Sequence, residues 1–181
     1  MAAVSLAICG LPSFAHAQTA TATAPALKAA FLYNFAKFAT WPAEAMRPAD
    51  PIVFCVLNDR AVFDQLVSLT EGRAIEGHPL VVRTTKADAA ALAACRLLFV
   101  SGLDQTASLA LLDAVAGKPV LTASDLESFA QSGGVAGFYV ERGTLRFAIN
   151  LEATQRTGLR LSSKLLSLAK IVKDERAAVR R

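Results

Sequence analysis

The sequence predicts a single α/β domain in which helices flank a mixed, mostly parallel sheet, a Rossmann-like arrangement that ends in a hairpin and helices. The segments 52–57 and 96–100 are apolar except for Arg96 and show no alternation with polar residues, which is typical of strands buried on both faces. Segments with helical spacing separate these runs. The chain has 181 residues, of which 54% are hydrophobic and 19% charged, enough for one ordinary core but not two.

The first predicted element is a helix that includes the aromatic-rich stretch "KAAFLYNFAKFATWP". Pro25 suits its first turn, and Pro42 ends it because the residue before a proline avoids helical backbone. The segment is too short to span a membrane and carries Lys28 and Lys37. Three- and four-residue spacing places on one stripe Leu27, Phe31, Asn34, Phe35 and Phe38. This stripe predicts a face turned toward the core.

The following elements alternate between strands and helices, as a doubly wound sheet requires. The predicted ranges are strand 52–57, helix 61–69, strand 80–83, helix 86–94, strand 96–100, helix 106–117 and strand 118–123. Ser124 and Glu127, three residues apart, then predict a capping box that opens a short helix.

The last part of the chain is predicted to hold a hairpin and two helices. Glu141-Arg142-Gly143 joins β-rich runs at 135–140 and 144–150, with Gly143 placed to take the left-handed turn conformation. Asn150 caps a helix that runs to about Thr157. A final helix from Ser162 onward is predicted from a stripe formed by Leu161, Leu165, Leu168 and Val172.

The N-terminus has the pattern of an export signal. Residues 1–17 carry no charged side chain, and Ala15-His16-Ala17 offers small residues to a signal peptidase. We therefore expect a signal peptide at 1–17 with cleavage after Ala17, a flexible leader at 18–25 and one domain at 26–181. The mature chain would begin at Gln18 in the periplasm.

Cleavage at that point would remove Cys9 and leave two cysteines in an oxidising compartment. Cys55 and Cys95 are an even pair, which is compatible with a disulfide. Two buried thiols are the alternative, because Cys55 lies inside an apolar run.

No catalytic, metal or cofactor signature is found in the sequence. The mature chain has one histidine, His78, between Gly77 and Pro79, and it lacks the cysteine and histidine spacings of metal sites and the G-x-S-x-G nucleophile elbow. Gly133-Gly134 follows a predicted helix rather than a strand, unlike a phosphate-binding loop. The net charge of +4 is scattered rather than striped, which argues against nucleic acid as a partner.

Tyr33 and Trp41 lie off the apolar stripe or at its end. Aromatic side chains with one apolar face and one polar tip are favoured in protein interfaces, so both residues are candidate partner contacts. The alternative for Trp41 is that its ring closes one edge of the core.

Five segments in order resemble one family: "KAAFLYNFAKFATWP", "GRAIEGHPLVV", "CRLLFVS", "GKPVLTASDLESFAQSGGVAGF" and "LRFAINLEATQRTGLRLSSKLLSLAKIV". They are similar to the YfiR family of bacterial periplasmic proteins (YfiR/HmsC-like), and the resemblance runs from about Ala26 to Val172. It implies a non-enzymatic regulator that inhibits a membrane-bound diguanylate cyclase by binding its periplasmic sensory region. Cyclic di-GMP signalling and biofilm formation would then stay low.

The resemblance also implies a homodimer and an outer-membrane lipoprotein that can sequester the repressor. Cys55 and Cys95 match a cysteine pair of the family, which implies a disulfide with redox sensitivity. A second pair that some members carry near the hairpin has no counterpart here. The alternative function is a periplasmic small-molecule-binding module, with a crevice near Ser101, Ser124 and Gly133. A hydrolase that uses Ser101 and His78 is a more distant alternative.

Overall fold

The computed structural model describes residues 24–176, so the predicted signal peptide and most of the predicted leader lie outside the described residues. The helices are α1 Ala24–Lys37, α2 Arg60–Thr70, α3 Ala89–Ala93, α4 Gln105–Ala114, α5 Leu151–Arg156 and α6 Ser163–Leu166. The strands are β1 Ala39–Thr40, β2 Ile52–Leu57, β3 Ala74–Ile75, β4 His78–Thr84, β5 Leu97–Val100, β6 Leu121–Ser124, β7 Ala136–Glu141, β8 Thr144–Asn150, β9 Arg160–Leu161 and β10 Lys170–Val172.

Eight of these strands form one sheet in the order β10-β8-β7-β6-β5-β2-β4-β3. Strands β4, β2, β5, β6 and β7 are parallel, β8 is antiparallel to β7, and β10 is parallel to β8. The predicted mixed, mostly parallel sheet with flanking helices is therefore confirmed. Strands β1 and β9 form a separate antiparallel pair. Strands β4 and β5 lie on opposite sides of β2, so the chain adds strands first toward one edge of the sheet and then toward the other. The switch point of the topology lies between β2 and β5.

One face of the sheet is covered by α1 through phenylalanine rings. Phe35 is fully buried, and its ring centroid lies 5.0 Å from that of Phe147 and 5.8 Å from that of Phe138. Phe31 packs 5.3 Å from Phe147 and is partly buried. The predicted apolar stripe of α1 is therefore only partly correct: Phe31, Phe35 and Phe38 pack in the core, but Leu27 is 38% exposed and Leu32, outside the stripe, is fully buried. The aromatic pairs add packing energy beyond the area they bury.

The opposite face carries a second apolar cluster, because consecutive residues of a strand point to opposite sides. Phe54 of β2 belongs to the first cluster, while Cys55 and Leu57 belong to the second, with Leu111 of α4. The predicted disulfide joins Cys55 to Cys95 in this second cluster, with a Cα–Cα distance of 5.8 Å. Both cysteines are fully buried, so the bond is shielded from reductants while the domain is folded.

The prediction of a short helix after Ser124 is wrong. Ser124 is instead the last residue of β6, and its hydroxyl oxygen accepts from the Leu126 amide at 3.0 Å. Residues 127–133 form successive turns, and Ser128 has a φ of 59°, a left-handed conformation that interrupts a helix. These turns pack closely on the sheet: a Cβ on Gly134 would lie 2.2 Å from the Phe129 ring.

The prediction of a long final helix from Ser162 onward is also wrong. Helix α6 ends at Leu166, and the chain then forms β10, in which Ile171 pairs with Ile149 of β8. Leu168, which the predicted stripe placed toward the core, is 69% exposed. Pairing with the open edge of β8 outweighs the local helical spacing, as tertiary context often does.

Two hairpins close with tight turns. The predicted hairpin β7–β8 is confirmed, and Arg142 and Gly143 both have positive φ, as a two-residue turn of this kind requires. A second hairpin, β3–β4, was not predicted, and its turn residues Glu76 and Gly77 also have positive φ. Within 24–176, no helix has the length and apolar character needed to cross a membrane.

Candidate partner-binding groove

Tyr33 and Trp41 lie on two adjoining depressions at the end of α1. The larger, about 510 Å³, is lined by Tyr33 and Phe38 among others, and the smaller, about 120 Å³, by Trp41 and Met46. The two depressions share Ala39, Thr40, Ile75 and Glu76. Both predicted contact residues therefore border one surface, which we call the α1–β3 groove.

Two strand edges form the walls of this groove. On one side lies β1, which within residues 24–176 pairs only with β9. On the other side lies β3, an edge strand of the eight-stranded sheet. Each strand is two residues long. A strand edge offers backbone donors and acceptors to an extended segment of another chain. The groove thus has the features of a site for a polypeptide.

The aromatic floor of the groove is surrounded by cations. The Arg73 guanidinium lies 5.9 Å from the centre of the Tyr33 ring. The ammonium groups of Lys37 and Lys164 lie 5.9 and 5.5 Å from the centre of the Phe38 ring. Glu76 contributes one carboxylate. Positive charge around an apolar floor favours an acidic partner that also carries apolar side chains.

Tyr33 and Trp41 differ in their accessibility. Tyr33 is partly buried at the groove, whereas Trp41 is 8% exposed and packs in the main apolar cluster. The indole Nε1 of Trp41 is buried and has no hydrogen-bond partner within the described part of the chain. Trp41 therefore closes an edge of the core and reaches the groove only through the smaller depression, while Tyr33 is the more accessible of the two.

The crevice at the carboxyl ends of β2 and β5 is filled by paired polar groups. The Lys28 ammonium lies 2.5 Å from Asp125 and 3.9 Å from Asp59. The Ser101 hydroxyl donates to Asp125 at 3.1 Å, and Asp59 accepts from the Val62 amide at the start of α2. These contacts join α1 to the sheet edge and assign Ser101 a structural hydrogen bond.

The other residues considered from the sequence lie apart from this crevice. Nδ1 of His78 donates to the Asp50 carbonyl oxygen at 2.8 Å, which ties the start of β4 to the loop before β2. Gly133 lines a different cavity, beside Arg156. His78 lines the smaller depression of the α1–β3 groove beside Trp41, whereas Ser101 lines neither this groove nor the cavity beside Arg156. Among residues 24–176, no group of three or more histidine, cysteine, aspartate or glutamate side chains could hold a metal ion.

A comparison with protein-family models places the chain by sequence. The YfiR/HmsC-like model matches residues 25–170, most of the chain and nearly all of the described part. The chain belongs to the YfiR/HmsC-like family. Members of this family are periplasmic regulators rather than enzymes, and the family is associated with the periplasmic region of a diguanylate cyclase.

Other comparisons add little to the family assignment. No curated protein matches the chain. The ABC domain from Streptococcus pneumonia solved with L-Trp is 13% identical with a TM-score of 0.47, and it covers 72% of this chain. A conserved domain protein from Vibrio cholerae O1 biovar El Tor is 16% identical with a TM-score of 0.44, and it covers 71%. This chain spans 58% and 56% of those two chains, which are α/β domains.

Proposed function

We propose that this protein inhibits a membrane-bound diguanylate cyclase by binding the cyclase's periplasmic sensory region. Inhibition keeps cytoplasmic cyclic di-GMP low and restrains biofilm formation. The family match over residues 25–170 is the observation that carries the proposal. The α1–β3 groove supports it, since two strand edges and an aromatic floor suit a polypeptide partner. A homodimer as the acting form and an outer-membrane lipoprotein that sequesters it are parts of the same proposal.

Inhibition requires that the protein distinguish two conformations of the cyclase. A ligand with equal affinity for both conformations shifts nothing, however tightly it binds. The protein must therefore bind the inactive conformation more tightly, and the groove is the surface that we assign to this contact. The cations Lys37, Arg73 and Lys164 would meet acidic residues of the cyclase.

Deletion of the gene is expected to raise cyclic di-GMP, because the inactive conformation of the cyclase loses its ligand. Suppressor mutations that restore a low level should fall in one membrane diguanylate cyclase. Mass-spectrometric quantification of cyclic di-GMP in the deletion, complemented and double-deletion strains tests this. An unchanged level in the deletion strain would contradict the proposed function.

Charge reversal beside the groove, at Arg73, is expected to weaken the contact without unfolding the domain. Arg73→Glu places a carboxylate beside Tyr33, where acidic partner residues are expected, and should raise the dissociation constant about tenfold. Binding of the purified variant to membranes that contain the cyclase identified by suppression measures this.

Arg60→Glu is the matched control for this change. Its guanidinium also lies over an aromatic ring, 5.1 Å from the centre of Phe63, but Arg60 is outside the groove. We expect this control to bind as the parent protein does. Equal weakening by both variants would show that overall charge, rather than the groove, governs the contact.

A further inference from the structure

A second cavity lies between α4 and α5, and it shares no lining residue with the α1–β3 groove. Its volume is about 300 Å³, within the range of small-ligand sites. Leu112, Val115, Val135 and Ala153 give it an apolar wall. Arg156 and Arg176 also line it, together with Asp113 and Asp174, so the cavity combines a hydrocarbon surface with guanidinium groups and their carboxylate partners.

The chain's own C-terminal segment reaches into this cavity. After β10, Asp174 forms an ion pair with Arg156 and its side chain is 1% exposed. Glu175 donates its amide to the Gln131 carbonyl oxygen at 2.9 Å. Arg176 donates to both carboxylate oxygens of Asp113 on α4, at 2.7 and 2.6 Å. We call residues 173–176 the C-terminal strap.

The strap is held by polar contacts rather than by apolar packing. Its sequence is Lys-Asp-Glu-Arg, and the side chains of Lys173 and Glu175 are exposed. Arg156 is 48% exposed, so solvent reaches the guanidinium while its partner carboxylate is buried. A free anion can therefore approach Arg156 from outside.

A carboxylate is the group that an arginine fork recognises with charge-assisted hydrogen bonds. Asp174 supplies such a carboxylate next to a cavity whose wall is apolar and unfilled by the strap. The same guanidinium would accept a carboxylate from a small molecule, and the apolar wall would take that molecule's hydrocarbon part. When Asp174 leaves Arg156, the carboxylate of the small molecule would replace it as the partner of the guanidinium, so no charge would be left uncompensated.

We propose that this cavity binds a small organic monocarboxylate with an apolar body, in competition with Asp174 for Arg156. When no ligand is bound, Asp174 pairs with Arg156 and the C-terminal strap stays in place. When the ligand binds, its carboxylate pairs with Arg156, its hydrocarbon part contacts the wall formed by Leu112, Val115 and Val135, and the strap is displaced. This site does not depend on the proposed cyclase contact.

The test uses sodium hexanoate as the probe, titrated calorimetrically into the full mature chain. Asp174→Asn removes the competing charge and should tighten hexanoate binding about tenfold, since a hydrogen bond to a charged group is lost only from the closed state. Arg156→Gln should abolish binding. Asp64→Asn is the control, because Asp64 forms an exposed ion pair with Arg60 elsewhere.

Two further probes separate the components of the site. Hexanol has the same chain without the charge, and inorganic phosphate has charge without the chain, so both should bind at least tenfold more weakly than hexanoate if both components contribute. Hydrogen exchange of the Glu175 amide should accelerate on hexanoate binding, because the strap leaves Gln131. Asp113→Asn, which loosens the strap at its other end, repeats the test if Asp174→Asn does not fold.

Several outcomes would overturn the proposal. One is that neither Asp174→Asn nor Asp113→Asn tightens hexanoate binding, and another is that Arg156→Gln still binds hexanoate. The others are that hexanol or phosphate binds as tightly as hexanoate, and that the exchange rate of the Glu175 amide does not change. None of these results depends on cyclic di-GMP, so failure of this inference and failure of the proposed function are distinguishable.

Discussion

Phe35→Ala is expected to lower the free energy of unfolding by about 3–5 kcal/mol, the usual range for removal of a buried phenylalanine ring. Phe35 is fully buried, and its ring contacts those of Phe31, Phe138 and Phe147. The change would leave a cavity between α1 and the sheet that surrounding rings cannot fill without leaving their rotamers. Urea unfolding followed by circular dichroism measures the loss.

Phe63→Ala is the matched control for this prediction. Phe63 is partly buried on α2 and is outside the group of stacked rings around Phe35. Its removal should cost clearly less, because a partly exposed ring loses less transfer free energy and leaves no closed cavity. Equal losses for the two variants would contradict the central role of the α1 rings.

Removal of the disulfide by the double change Cys55→Ala and Cys95→Ala is expected to cost about 4 kcal/mol in the chain-entropy model. The bond closes a loop with a sequence separation of 40 residues. That loop contains α2, β3, β4 and α3, so the reduced chain should lose order first in this part. Hydrogen exchange of β4 amides, with urea unfolding of both forms, measures the effect.

The buried position of the bond gives a second readout. Cys55 and Cys95 are fully buried, so a thiol reductant should act only as fast as the domain opens. Alkylation of folded, oxidised protein that begins at Gln18, and so lacks Cys9, should label no thiol. Rapid reduction under native conditions would show instead that the bond acts as an accessible redox switch, as the family resemblance alone suggested.

The central fold could be predicted because local pattern and tertiary placement agree there. The run Ile52–Leu57 is apolar throughout, and in the structure its alternate residues enter two different apolar clusters. The spacing of the α1 phenylalanines likewise predicts the burial of Phe35, although Leu27 at the start of the same stripe is exposed. Hairpin β7–β8 follows from the glycine at the position where φ is positive.

The end of α6 at Leu166, followed by a strand, could not be predicted from the sequence. Leu161, Leu165 and Leu168 keep helical spacing, but the deciding interaction is the pairing of Lys170–Val172 with β8, some twenty residues earlier in the chain. The capping box failed for a related reason. Ser124 pairs with Gly137 as the last residue of β6, and that ladder fixes its backbone as extended.

The candidate groove was only half visible in the sequence. Tyr33 and Trp41 were identified by their positions relative to the α1 stripe, and both border the groove. Its opposite wall is β3, a two-residue strand in a segment that resembles a plain turn. The dipeptide Glu76-Gly77, in which both residues have positive φ, is the local sequence signal of this hairpin.

The position of β10 in the sheet affects how the chain reaches its folded state. Strand β10 pairs with Ala148–Asn150 of β8, yet among the strands of residues 24–176 it comes last in chain order. Until β10 pairs, this part of β8 presents unpaired backbone groups to which a neighbouring unfolded chain can bind. The three residues Lys170–Val172 therefore limit self-association during folding, although they add little to the apolar core.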